Sequence, residues 1–533
     1  MPLRRAPSIP DLIGSTDASR GENSKWKDIN RVQVTTRTAI LVGLAIYASL
    51  ISTLSVFFAA RVRKAEDYLI AGRRIPFWIL TGSIIGTCVG TGATIGASGL
   101  AFRHGWAGSA YPMSLGLGVL VTGVLFASMR RYNFITLGEE IACYYAQNRA
   151  VVEFSNISLF LSQLGWLTVQ IMGGGAVLNA ILGLGPRLSI VAAGVIIAML
   201  CIPGGLRAVV YVAFLQGILL LVGFASLAKA ALTDLGGLSG LHASVPGAYF
   251  SFLGIESFGW LRLAGLIVVL VLGIVAEPGR RLSVYGARDV PTARVSMLIA
   301  GSVVVLFSTS IGVAGMYVLK LNPGLPHPDL ALPWLILNAL PPWLAALLTV
   351  AIGSAIFSSA SCSASAIGLF FVRHIYYSVT RRYPKHPVAA TRFGLLAAFV
   401  LATSVALRAT DIVGFVMNFL PLTAAGLAII ILLGRFWKRS NWQGALSALI
   451  VTPVVALSLM LFHSNAGLLS VPILPAVAAG MLVHIIVSLL TPASSHSFEE
   501  VAEVMRIERE AIEGDKVSTV GEKVTEMMGS GLG

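Results

Sequence analysis

Two stretches of this chain carry residue types suited to holding a small cation. Between 76 and 101 stand Gly82, Gly86, Gly90, Gly92, Gly96 and Gly99, interleaved with Thr87, Thr91 and Thr94. A glycine costs a helix about 1 kcal/mol relative to alanine, so such a run invites a break in the middle. Unwound backbone at membrane depth must line a cavity or be buried in protein. The carbonyl oxygens it frees suit a hard monovalent ion, and interrupted helices mark secondary transporters. The same small residues would also allow close helix packing, and both readings stand at this point.

The second stretch is 343–374. Ser354, Ser358, Ser361 and Ser365 follow steps of four, three and four, which places them on one helical face; Ser359 and Ser363 form a neighbouring strip. A hydroxyl face opposite a broken helix would complete a cation site, because hydroxyl and carbonyl oxygens replace a hydration shell without adding charge. Serines that bond back to the preceding turn, or join adjacent helices, explain the same pattern.

Other polar groups are sparse. Glu277 precedes Pro278 and the pair Arg280 and Arg281; a carboxylate in a span is a functional candidate, and at a span end it is expected to pair with a neighbouring arginine. Gln163, Trp166 and Gln170 share one face of a helix, and Asn418 precedes Pro421, where a local break would aim its amide inward. Thr87, Thr91, Thr94, Gln163, Gln170 and Asn418 therefore form the expected solute pocket. They suit a small polar compound, and no arginine stands among them to clamp a carboxylate. Cys88, Cys143, Cys201 and Cys362 are too few and scattered for a disulfide framework or a zinc site. Neither a nucleophile–base pair nor a Walker-type lysine loop is evident, so neither an enzyme nor an ATP-driven pump is expected.

The elements that must position these residues are long apolar helices. The chain has 533 residues, 56% hydrophobic and 12% charged, with mean hydropathy +0.83. A soluble domain carries about 25% charged residues, so the composition excludes a soluble enzyme, a disordered scaffold and a nucleic-acid binder. Thirteen membrane spans are predicted, at 38–60, 76–101, 108–128, 154–182, 188–206, 208–231, 260–278, 294–317, 343–374, 389–408, 410–434, 443–463 and 471–490. Alternate connections and their helix ends hold 21 Lys and Arg, the others six. The positive-inside rule then places the C-terminus in the cytoplasm of a plasma (inner) membrane, and the odd span count places the N-terminus outside. Phe498, Val501, Val504, Met505 and Ile507 predict a short surface helix over 497–513.

Several motifs resemble the sodium:solute symporter family. They are 66–76 (EDYLIAGRRIP), 203–209 (PGGLRAV) followed by Gln216, 355–359 (AIFSS) with 373–376 (RHIY), and 436–439 (FWKR) with Asn441 and Gly444. The match runs in order over roughly 64–490. The resemblance implies an all-α, LeuT-like core of two inverted five-helix repeats, 76–231 and 260–434. It would be preceded by a peripheral helix at 38–60 and followed by two at 443–490, with polar segments at 1–37 and 491–533. It also implies a Na⁺ site formed by the carbonyls of Gly86, Val89 and Ala355 and the hydroxyls of Ser358 and Ser359. The chain departs from the family at Val212 and Ala213, where members often carry a Thr-Asp pair, and at Ser361, an aspartate in some members. The function implied is sodium-coupled symport of a small polar organic solute across the bilayer. A proton-coupled or uncoupled carrier of the same fold, or a solute-binding membrane sensor, remains a rival at this level.

Overall fold

Apolar runs bounded by capping side chains set the elements. The computed structural model describes residues 34–50, 53, 75–201, 206–371, 387–462, 467–493 and 496–513. Helix α1 is Val34–Leu50. Helices α2 (Phe77–Cys88) and α3 (Ala97–His104) follow, then α4 (Ala107–Phe126), α5 (Leu137–Tyr144) and α6 (Arg149–Leu182). Next come α7 (Pro186–Cys201), α8 (Leu206–Leu235), α9 (Trp260–Val275), α10 (Pro278–Gly286) and α11 (Val290–Leu321). The rest are α12 (Pro342–Phe370), α13 (Pro387–Ala406), α14 (Ile412–Thr423), α15 (Ala425–Phe436), α16 (Trp442–Leu461), α17 (Ile473–Leu490) and α18 (Phe498–Glu513). Thr136, Asn148, Asp289, Asp411 and Asn441 each accept a hydrogen bond from a first-turn N–H. Such caps are worth about 1 kcal/mol each and fix where helices begin among connections that would otherwise slide.

The protein is all-α; among the described residues the only extended pairing is an isolated bridge between Ile75 and Ala287. Among the described residues eight helices are long and apolar enough to span a membrane, or eleven if each bent pair counts as one span. The bent pairs are Phe77–Cys88 with Gly92–His104 (62°), Trp260–Val275 with Pro278–Gly286 (45°), and Ile412–Thr423 with Ala425–Phe436 (50°). Two shorter apolar helices, Val34–Leu50 and Pro186–Cys201, lie where the remaining two of the thirteen expected spans were placed. Residues 51–52 and 54–74 of the first expected span and its following loop, the 203–205 and 373–376 motifs, and 1–33 and 514–533 lie outside the described residues.

The glycines of α2 do both things their pattern allowed. A Cβ on Gly86 would sit 2.1 Å from the Ala213 carbonyl oxygen, and one on Gly217 2.6 Å from that of Gly82. Helices α2 and α8 thus meet backbone to backbone, a packing only small residues permit. One turn later the helix stops: Val89 has φ −89° and ψ 74°, outside helical geometry, and the chain restarts through a wide turn at Gly92–Gly96.

The two ends of the bundle differ. At one end Arg130 donates to the carbonyls of Ala287 and Arg288 and Arg435 to Ser128. There α18 lies against α5, with Phe498 edge-on to Tyr132 and Phe134 and tilted over Tyr144. At the other end Tyr317 donates to Asp234, and Asp329 accepts from the backbone N–H of Ile412.

Candidate functional site

The break in α2–α3 lies against α12. Ser358 Oγ is 3.0 Å from the Gly86 carbonyl oxygen and 3.1 Å from that of Ala355, and Ser359 Oγ is 3.2 Å from the Thr87 carbonyl. Gly86, Val89, Ala355 and Ser358 are buried, and Ser359 is half-buried. Serine hydroxyls at helix positions 358 and 359 therefore face the last carbonyls of α2 across the helix interface. Such a site is formed from neutral oxygens of two helices. Val212 and Ala213, where an acid was looked for, are buried against α2 and bring no charge to it.

Beside this cluster lies a small cavity of about 30 Å³. Its walls are Thr87, Cys88, Gly90, Gly92 and Ala93 from the break, Tyr111 and Leu115 from α4, and Trp166 and Gln170 from α6. Ile274, Glu277 and Arg280 from the second broken pair, and Ser359, Cys362 and Ser363 from α12, complete them. A larger solute requires these walls to part. Glycine is required at the lining positions: a Cβ on Gly92 would meet Tyr111 Oη at 2.2 Å, and one on Gly90 would meet Ser359 Oγ at 2.8 Å.

The predicted solute residues are placed unevenly. Thr87 and Gln170 line the cavity, and Gln170 Oε1 accepts from the Thr91 N–H at 3.1 Å, pinning the break to α6. Thr91 is buried between the lining residues Gly90 and Gly92 without itself lining the cavity. Thr94 does not line the cavity; its hydroxyl donates to the Gly90 carbonyl at 3.0 Å, the bond back to the preceding turn that satisfies a threonine within a helix. Gln163 is buried about two turns from Gln170, outside the lining, and both its amide atoms are without a partner among the described residues. Asn418 is a correction: α14 does bend next to Pro421, yet Asn418 lies on an exposed face and the cavity does not include it. The break redirects the helix axis but leaves the azimuth of a residue before it unchanged.

The second broken pair carries what the expected pocket lacked. Pro278 occupies the first turn of α10, a position where its missing N–H costs nothing, so the chain re-enters a helix instead of leaving the bundle. Arg280 is thereby buried, 1% exposed, with Nε 2.8 Å from Glu277 Oε2 and Nη1 at 3.2 Å from the Ile84 carbonyl and 3.0 Å from Thr87 Oγ1. The expected pairing of Glu277 is present. The expectation that no arginine is available in the pocket is overturned. Arg281 points elsewhere: it lies 3.6 Å over the Phe126 ring and 3.8 Å from Glu140, whose carboxylate accepts from Tyr144 (2.8 Å) and Tyr285 (2.5 Å). Among the described residues no cluster of three or more His, Cys, Asp or Glu could hold a metal ion.

The sequence profile described as the sodium:solute symporter family matches residues 68–452, most of the chain. The chain belongs to the sodium:solute symporter family. It is a multi-pass membrane transporter whose function is sodium-coupled secondary transport of a solute. It is 25% identical over 435 residues to the sodium/pantothenate symporter of Escherichia coli (strain K12), covering 78% of this chain and 89% of that one. It is 24% identical over 443 residues to the sodium/glucose cotransporter of Vibrio parahaemolyticus, covering 74% and 80%. Among solved structures it resembles a Na⁺-coupled sialic acid symporter in a substrate-bound, outward-open state, with TM-score 0.71, 18% identity, and coverage of 86% of this chain and 99% of that one. That likeness carries the LeuT-like fold.

Proposed function

We propose that the coupling ion binds at the junction of α2 and α12, and that a small polar organic solute binds in the adjoining cavity. The ion's ligands are the carbonyls of Gly86, Val89 and Ala355 and the hydroxyls of Ser358 and Ser359. The observation that carries this reading is the position of Ser358 Oγ, within 3.1 Å of two other members of the set. A Na⁺ ion drawn in here would take over oxygens now bonded to one another. Its binding would order the end of α2, which also forms a wall of the cavity. By linkage, solute would then tighten Na⁺ binding by the same factor as Na⁺ tightens solute binding.

Alternating access would proceed by rocking of one helix bundle against the other. The gathering of Arg130, Arg288 and Arg435 at the end that carries α18 supports the cytoplasmic assignment of that end. Each proposed repeat, 76–231 and 260–434, opens on a bent helix pair, which supports the inverted-repeat boundaries, and the second also closes on one. Relatives named for pantothenate and glucose support an organic solute.

The ion site is tested by binding of radioactive ²²Na⁺ to the purified full-length protein, which requires no knowledge of the solute. Ser358→Ala and Ser359→Ala are each expected to weaken binding at least about tenfold, the equivalent of about 1.4 kcal/mol. Binding unchanged in both variants removes the assignment.

A further inference from the structure

Adjacent arginines of α10 serve different regions. Arg281 is committed to Phe126 and the Glu140 cluster, whereas Arg280 lines the cavity. Nε and Nη1 of Arg280 are engaged by Glu277, Ile84 and Thr87, and among the described residues no hydrogen bond engages Nη2. Two more donors on the same lining lack acceptors: Tyr111 Oη, on a fully buried residue, and Trp166 Nε1. Gln170 has its oxygen bound to the Thr91 N–H, which leaves its NH₂ as the group available to a ligand.

Buried donors are nearly always satisfied in folded proteins, so two orphans beside a guanidinium point to a ligand that brings acceptors. The side chain of opposite character, Glu277, already occupies the Nε edge of Arg280. A ligand matched to this lining presents oxygens and a single negative charge. The free Nη2 of a buried guanidinium suits a carboxylate through a charge-assisted hydrogen bond, and a dianion would face Glu277 without a second cationic side chain.

We propose that the cavity is a carboxylate site and that the solute is a small organic acid. Arg280 donates to the carboxylate from Nη2, while Tyr111, Trp166 and Gln170 donate to its remaining oxygens and to the polar body. This rests on the reading of the cavity as the solute site and names the class of solute. It also gives the coupling a physical form. Thr87 stands between the two cargoes, its carbonyl bonded to Ser359 and its hydroxyl to Arg280. Na⁺ and a monocarboxylate would share the site as a pair of net charge zero, attracting one another more strongly than in water.

The competing explanation is that Arg280 only fastens α10 to α2. It predicts indifference to the solute's charge and to the Tyr111 hydroxyl. The test is thermal stability of the purified full-length protein, with and without sodium, against three matched pairs: pantothenate and pantothenol, lactate and lactamide, glucuronate and glucose. In sodium, the acid of at least one pair is expected to raise the melting temperature while its neutral partner does not. Tyr111→Phe, which removes a hydroxyl bonded to nothing, is expected to weaken that acid's apparent affinity about tenfold, within the range for a hydrogen bond to a charged group. It leaves the shift caused by sodium alone unchanged. Arg280→Lys retains the charge, loses Nη2, and is expected to weaken the acid further.

Neutral partners acting as well as the acids, no acid acting, or a silent Tyr111→Phe each overturn the proposal. Failure of the ion site reads differently: the acid preference would persist without sodium dependence. Failure of the carboxylate site would leave the ²²Na⁺ result for Ser358→Ala intact.

Discussion

The two broken helix pairs, α2–α3 and α9–α10, answer one architectural problem with opposite chemistry. Both interrupt an apolar span and expose backbone at depth. The first uses glycines, threonines and carbonyls and carries no formal charge between Phe77 and Phe102. The second is apolar from Leu263 to its break and then presents Glu277, Arg280 and Arg281. A neutral array of oxygens suits a bare cation, whereas a break that already contains an ion pair presents a guanidinium toward the cavity. A break by itself therefore does not define a ligand; the groups gathered around it do.

The largest effect should come from breaking the charged break. Arg280→Ala leaves Glu277 buried without its partner, a change that typically costs about 3–5 kcal/mol, while the double variant Glu277→Gln/Arg280→Gln leaves no charge at this pair. Chemical or thermal unfolding of the two should place the single variant well below the double one. Equal stabilities would mean that the pair is not electrostatically coupled.

The neutral break should fail for steric reasons instead. Gly86→Ala sets a methyl group 2.1 Å from the Ala213 carbonyl, and overpacking of this kind costs about 1–3 kcal/mol. We expect lowered stability together with weakened ²²Na⁺ binding, since the displaced helix carries the Gly86 carbonyl. Thr87→Val addresses the residue common to both regions. It deletes the hydroxyl that Arg280 contacts and keeps the carbonyl that Ser359 contacts, so solute KM should rise about tenfold while sodium binding is retained. A matched loss of both would show that the two breaks act as one site.

The smallest effect lies outside both breaks and serves as their control. Asp329, in the connection between α11 and α12, is pushed up to about 6, chiefly by burial and also by Asp411, with His327, Arg103 and the Ile412 N–H opposing. Its proton is held more tightly in the folded state than in the unfolded one, so it favours the fold below pH 6 and this contribution is lost as pH rises through 6. Lowering pH from 7 to 5 should therefore add about 1 kcal/mol of stability through this group. Asp329→Asn should flatten that part of the profile, and a slope that survives the substitution would assign it to another group.

Much of the neutral break was legible in the sequence because glycine spacing and serine spacing are properties of the chain itself. The stop near Val89 and the shared face of the serines follow from them, whereas the pairing of Ser358 with Gly86 came from the family resemblance. Arg280 was not legible as a cavity residue, because Pro278 followed by two arginines reads as the edge of a membrane. A proline is also the natural first residue of a new helix, and hydropathy cannot separate a charge at a span end from a charge beyond a break within a span. Tyr111 gave no signal at all; its slot exists because Gly92 lacks a side chain, a relation between distant residues. Asn418 failed for the converse reason, since a nearby proline predicts a bend but not which way a preceding side chain points.

The docking of α18 has a mechanical corollary. Phe498 rests on the ring of Tyr144, whose hydroxyl is bonded to Glu140, and Met505 touches Cys143 on the same short helix. Any motion that pulls this tyrosine off its carboxylate must also pry the tail from its seat, so the tail adds a load to opening at that end, and a fusion placed just ahead of Ser497 would change the load.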